Sequence, residues 1–184
     1  MHFITSDIHF GHKNIMNFCP VSRAFGEGDV VKMDEEIIKR WNRTVSPQDH
    51  TYILGDVAFC NAEKAVSHLL RLNGTKTLIV GNHDAKLVKD EKFCAQFVEV
   101  RDYMSIRMNE TKVIMFHYPI AEWDQMHHGA VHFHGHLHGS VSGMEAYRAV
   151  DVGMDNSECT PWKLEAAIAY AMKGKIKSHH QKGN

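Results

Sequence analysis

The sequence predicts an α/β fold. In the first half, short apolar runs of strand character alternate with runs at helical spacing, the pattern of a parallel sheet with right-handed crossovers. In the second half, strand-like runs follow one another with little helix between them. Ligand-type polar side chains stand just after several of these strands, at the carboxyl edge where open α/β sheets gather their functional loops.

Taken in order, His2–Thr5 is an apolar-rich strand that runs into Asp7 and His9, and Ile15–Phe18 is a short helix stopped by Pro20. Residues 21–31, with three charged residues and two glycines, read as a loop. Asp34 then caps a helix in which Ile37, Ile38 and Trp41 repeat at helical spacing. Residues 51–54 form a buried strand ending in Gly55-Asp56. Asn61 caps the next helix, with Ala65, Leu69 and Leu72 facing inward and Asn73-Gly74 closing it. A third apolar strand, residues 77–80, ends in Gly81-Asn82-His83-Asp84.

Residues 98–108 and 112–117 read as two strands joined by a turn at Asn109-Glu110, hence antiparallel. Residues 130–133 and 147–152 add two more strands. Thr160-Pro161 opens a final helix, residues 162–172, ending at Gly174. One domain is therefore expected over residues 1–174, followed by a polar, frayed tail over 175–184.

A chain of 184 residues can bury a substantial core but leaves little for a cap or second domain. Its hydrophobic fraction of 43% and charged fraction of 23% belong to an ordinary soluble globular protein. A formal net charge of −1 argues against a broad nucleic-acid or acidic-membrane surface. No apolar run approaches the ~20 residues of a membrane span. The chain opens on the strand-like HFITS instead of a secretory leader, and a cytoplasmic protein is expected. Cys19, Cys60, Cys94 and Cys159 are scattered, without a CxxC pair, and read as reduced thiols.

The polar clusters carry the chemistry. They are Asp7 and His9 in SDIH, Asp56 in LGDV, Asn82 in VGNHD, His117 in FHYP, and His136 and His138 in GHLH, with His83 beside Asn82 as a proton donor. Oxygen ligands mixed with imidazoles suit Mn²⁺, Fe or Zn²⁺ better than Ca²⁺ or a thiolate zinc site. Asp56 is left in the middle to bridge two metals. Asp84 either orients His83 or caps the helix that follows. His12 and Asn14, just past the first pair, are candidates to touch substrate. Lys13, Arg23 and Arg43 are candidates for a phosphate clamp, against the plainer reading of surface charges. His50, His68, His132 and His134 read as structural, His134 with an alternative place at the site, and His127, His128, His179 and His180 as surface or tail residues.

The series D-x-H, GD, GNHD, H and GHxH, spanning Asp7 to His138, resembles the calcineurin-like metallophosphoesterase superfamily. The stretch FGHKNI resembles its small cap-less bacterial and phage members. The resemblance implies a four-layer α-β-β-α sandwich of two mixed β-sheets flanked by helices. It implies that Asp7, His9, Asp56 and His138 hold one divalent metal ion, and Asp56, Asn82, His117 and His136 the other. Mn²⁺ is the foremost cofactor it suggests, with Fe, Zn or Ni behind. GDVAFCN lacks the arginine of the protein phosphatase signature GDxVDRG and the tyrosine of purple acid phosphatases.

The implied function is dinuclear-metal-dependent hydrolysis of a phosphodiester or phosphomonoester of a small, nucleotide-like substrate by water activated at the metal pair. A nuclease acting on nucleic-acid ends, or a non-catalytic protein-interaction module on the same fold, are the alternatives. Small relatives are often dimers, so a homodimer is implied as well.

Overall fold

Phe3 and Ile4 are neighbours in strand β1 (His2–Thr5), yet they enter different hydrophobic cores. A two-residue period requires this of a strand buried on both faces. The division repeats at Ile53, the last residue of β2 (His50–Ile53), and Leu54 just beyond it, and again at Leu78 and Ile79 of β3 (Thr75–Ile79). These strands form the middle of a sheet with helices on one side and a second sheet on the other. The computed structural model from which this architecture is read describes residues 1–178.

The first sheet has five strands in the order β4-β3-β2-β1-β9, where β4 is Glu99–Arg101 and β9 is Trp162–Lys163. Strands β1 to β4 are parallel neighbours, with His2 opposite His50 and Thr51 opposite Lys76, and β9 runs antiparallel to β1. Its outer face is covered by helices α1 (Ile15–Phe18), α2 (Val30–Thr44), α3 (Ala62–Leu69) and α4 (Glu91–Cys94). Ile37, Trp41, Leu69 and Phe93 come from these helices into the core around Phe3.

The second sheet has four strands, β5 (Tyr103–Met108), β6 (Thr111–Phe116), β7 (Val131–His134) and β8 (Ala149–Asp151), in that order. Its inner face sets Val113, Met115, Val131 and Phe133 against Ile4, Leu54 and Ile79, and helix α5 (Leu164–Ala171) closes this core with Leu164, Ala167 and Ala171. The expected α/β fold of two mixed sheets flanked by helices is the fold observed. No helix among the described residues is long and apolar enough to cross a membrane.

Several elements differ from expectation, each for a physical reason. The single strand expected over 98–108 is two, β4 in the first sheet and β5 in the second, with the chain crossing between sheets at Asp102. Within the second sheet only β5 and β6 pair antiparallel, whereas β6, β7 and β8 are parallel. Helix α2 begins inside the expected loop because Asp29 caps it, its carboxylate accepting from Val31 N at 2.8 Å. Asp34, taken for the cap, lies within the helix with both carboxylate oxygens 3.1 Å from the Gly11 amide. The final helix starts at Leu164, since Trp162 is drawn into pairing with Ile4. Lys175 donates its amide to Ala146 O at 2.9 Å, so the start of the expected frayed tail is anchored. His179 and His180 lie outside the described residues.

Candidate metal centre

The two sheets bring the carboxyl ends of their parallel strands to one place. Asp7 follows β1, Asp56 follows β2, Asn82 follows β3, His117 follows β6, and His136 and His138 follow β7. Backbone bonds tie these loops together: Asp7 N donates to Gly55 O at 3.0 Å, His9 N to Asp56 O at 3.0 Å, and Gly135 N to His117 O at 2.9 Å. Two of them cross closely at Gly55 (φ +90°), where a Cβ would fall 2.6 Å from the backbone of Gly81 and 2.6 Å from His117 Nδ1. The glycines before Asp56 and Asn82 thus let two ligand loops pass each other.

The seven predicted ligands resolve into two donor groups. In the first, His9 Nε2 lies 3.8 Å and His138 Nε2 3.9 Å from Asp7 Oδ1. In the second, His117 Nε2 and His136 Nδ1 converge on Asn82 Oδ1 at 2.9 and 3.1 Å. Asp56 Oδ2 stands between them, 3.8 Å from His9 Nε2 and 3.5 Å from His117 Nε2. Each group, Asp7 with His9 and His138 and Asp56 with His117 and His136, has ligand atoms close enough to hold a cation.

The donor chemistry fits a divalent metal. Asp7 and Asp56 each commit one oxygen to protein, Asp7 Oδ2 to the His136 amide and Asp56 Oδ1 to the His83 amide, both at 2.9 Å, and leave the other oxygen toward the imidazoles. His117 Nδ1 donates to Leu54 O at 2.6 Å, which fixes the tautomer and leaves Nε2 with its lone pair. Asp7 Oδ1 and both ring nitrogens of His9 are buried with no hydrogen-bond partner. Groups of this kind are rare in folded proteins because each costs roughly 1–3 kcal/mol unless something absent from the protein satisfies it. Burial pushes the Asp7 carboxyl up to about 6 against the opposing pull of His138 and His117, so its charge needs a cation nearby. Burial, then Arg23 and the neighbouring imidazoles, hold His9 well below its ordinary value, in the neutral form that ligates.

The backbone carries the same signature. Asp7 (φ 57°), His9 (57°), Asp56 (55°), His136 (71°) and His138 (50°) all sit in the left-handed region, five of the eleven non-glycine residues that do so among the described residues. Each such residue costs of order 1–3 kcal/mol and persists where surrounding structure enforces it, typically at functional sites.

The proposed substrate residues fare differently. His83 borders the site with an exposed side chain, its Nε2 4.0 Å from Asp56 Oδ2. His12 is half-buried, its ring 5.3 Å from His9 and 4.3 Å from Phe59, and burial then His83 lower its basicity. Asn14 is exposed at the start of α1, and its side chain makes no capping bond.

Arg23 is a correction. It is fully buried, out of reach of substrate, and its guanidinium donates to Asp7 O (2.7 Å), Ile8 O (2.9 Å) and both carboxylate oxygens of Asp155 (2.9 and 3.1 Å). Asp84 is another. Fully buried, it accepts the amides of Asp56, Val57 and Gly81 at 2.8–2.9 Å, binding two ligand loops together in place of orienting the His83 ring or capping a helix.

Asp155 is the residue of the candidate site that the sequence reading missed. Its Oδ2 accepts from His138 Nδ1 at 2.7 Å, aiming Nε2 at Asp7. Burial alone would push His138 down, but the bonds to Asp155 and Cys19 carry it up to about 10. The available signal was position, since Asp155 follows β8 as the candidate ligands follow their strands. Cys19 also lies near His138 and Asp155, but that carboxylate is already engaged by Arg23 and Ser22. His132 and His134 are buried and bonded to backbone carbonyls.

The chain is 30% identical over 183 residues to the uncharacterised protein MJ1445 of Methanocaldococcus jannaschii, covering 95% of this chain and 93% of that one. It is 27% identical over 180 residues to the Gene 66 protein of Mycobacterium phage D29, covering 83% and 87%. The crystal structure of AQ665 from Aquifex aeolicus, a protein of unknown function, superposes with a TM-score of 0.70 at 23% identity, covering 88% of this chain and 94% of that chain, and shows a shared fold. YfcE, a phosphoesterase from E. coli, gives a TM-score of 0.37 at 17% identity over 74% of this chain and 69% of that one, too low to bear on either fold or activity. No family model matches.

Proposed function

We propose that this chain, which belongs to the family of the Methanocaldococcus jannaschii protein MJ1445, is a phosphoesterase that hydrolyses a small phosphate ester at a pair of divalent cations. The observation that carries the reading is Asp56 Oδ2 standing between two donor groups, beside the partnerless Asp7 Oδ1 and His9 Nε2. Asp7, His9, Asp56 and His138 would hold one cation, and Asp56, Asn82, His117 and His136 the other. Mn²⁺ matches this mixture of carboxylate, amide and imidazole donors, and Fe and Zn²⁺ share much of that preference. When bound, such a pair makes water acidic enough to attack near neutral pH and offsets charge on the phosphate oxygens.

The remaining work falls to the protein. As water adds to phosphorus, the bond to the leaving oxygen breaks and that oxygen needs a proton. His83 is the donor: its amide is anchored on Asp56 Oδ1 while its ring stays open to the approaching ester. Near-zero net charge does not favour a nucleic-acid substrate.

Metal analysis of the purified protein, with hydrolysis of bis-p-nitrophenyl phosphate and p-nitrophenyl phosphate in Mn²⁺ and in chelator, tests the proposal. Metal bound with neither ester cleaved would point instead to a protein-interaction module. His83→Ala should keep its metal and lose ~10²–10⁴-fold in kcat on esters of alkyl alcohols, with a smaller loss on p-nitrophenyl esters, whose leaving group needs no proton. Equal losses on both would remove His83 as the acid.

A further inference from the structure

A cavity beside His83 has a volume of about 440 Å³ and is walled by Ala58, Phe59, Ala85, Lys86 and Leu87. That volume falls within the range that small-molecule sites occupy. Asn82 and His83 also line it, so it adjoins the candidate metal centre. A larger cavity, about 790 Å³, is lined by His138 and Asp155 but not by His83.

We propose that the cavity beside His83 receives the leaving group of the phosphate ester, and that Phe59 selects a leaving group bearing a flat aromatic ring, as a nucleoside does. The inference rests on the phosphoesterase reading and extends it to substrate class. Geometry assigns the side: a general acid must come within hydrogen-bond reach of the leaving oxygen, so what departs must lie against His83. In balance, the P–O bond to the leaving group breaks as water's oxygen bonds to phosphorus. The His83 proton goes to the departing oxygen, and water's proton is released to solvent, from which His83 is recharged.

Phe59 assigns the chemistry. It follows Asp56 by three residues and is 51% exposed, so a large apolar ring meets solvent beside a polar centre. Its backbone is held firmly, the amide donating to Phe10 O at 2.7 Å. Its ring centroid lies 5.2 Å from His83 and 4.3 Å from His12, so ring, acid and opening form one surface. An aromatic face of this kind stacks any planar base, with little dependence on which one.

The experiment compares kcat/KM for adenosine 5′-monophosphate and ribose 5-phosphate, which release the same primary alkoxide with and without a base. Their methyl diesters serve if only diesters are cleaved. The wild-type protein should prefer the nucleotide roughly tenfold or more. Phe59→Ala should bring the ratio near one, and Phe59→Trp should retain it. A readout free of turnover is adenosine titrated calorimetrically into the protein, with binding weakened roughly tenfold in Phe59→Ala. No preference in the wild type, or a preference that survives Phe59→Ala, overturns the inference. Wild-type cleavage of bis-p-nitrophenyl phosphate in Mn²⁺, run alongside, separates this failure from that of the phosphoesterase reading, whose loss would overturn both.

Discussion

Asp155 shows how one carboxylate can govern a centre without belonging to it. It holds His138 by Nδ1 and is itself held by Arg23, whose other donors grip the carbonyls of Asp7 and Ile8. Removing its charge should loosen the imidazole and lower its basicity, and such partners are typically worth 10–100-fold in metal affinity. Asp155→Asn should therefore weaken Mn²⁺ binding by about that factor, read by competition with a fluorescent chelator. Affinity equal to wild type would show that His138 needs no such guide. Lys76 offers a pH test away from the centre. Its buried ammonium donates to Leu72 O at 2.8 Å and Gly74 O at 2.7 Å, and burial pulls its pKa from 10.5 to about 8. The folded protein therefore loses this proton near pH 8, while the unfolded chain keeps it to near 10.5. Between those values the unfolded state binds more protons, so wild-type stability should rise with pH relative to Lys76→Met in urea unfolding. A constant difference across that window would mean the amine stays charged. Among single residues, the ligand types were legible because each is a strong donor in a short motif. Arg23, Asp84 and Asp155 were not, because burial and partner decide their roles and neither is written locally.

At the scale of elements, strand ends and the turns after them do the positioning. Gly55 is where two such turns touch, with left-handed backbone and no room for a methyl group. Gly55→Ala should cost about 3 kcal/mol, the combined scale of backbone strain and overpacking, and lower the urea midpoint. An unchanged midpoint would mean that the Asp56 and Asn82 loops can part without penalty. Apolar runs and turn residues made most strands and the helices α1 and α3 readable before the structure. The break between β4 and β5 was not, because the 98–108 run keeps one strand-like pattern while its hydrogen-bonding partners change sheet. Strand β9 was hidden likewise: Thr160-Pro161 resembles a helix start, and only the vacant edge of β1 explains why Trp162 extends first.

For the whole molecule, the proposed cations are a stability term as well as a catalytic one. Ligand at a hundredfold over its dissociation constant adds about 2.7 kcal/mol per site, hence roughly 5 kcal/mol for two. In a domain of this size that corresponds to a rise of roughly 10–20 °C in Tm. Melting in excess Mn²⁺ and again after EDTA should show this difference and its reversal, and identical curves would contradict a metal at the shared aspartate. The expected mixed-sheet architecture followed from the order of strands and helices together with the motif resemblance. The loops' convergence needed the fold, since donors 131 positions apart, Asp7 and His138, meet only when both sheets are in place.

Those donors come from opposite halves of the sandwich, three loops from one sheet and two from the other, with the backbone amide of His136 bonded directly to Asp7. The edge that carries the candidate metal centre is thus also a rivet through the two layers. A slip of one layer across the other by a single residue's width would pull His138 off Asp7. Ligand capture and the alignment of the layers are one mechanical condition.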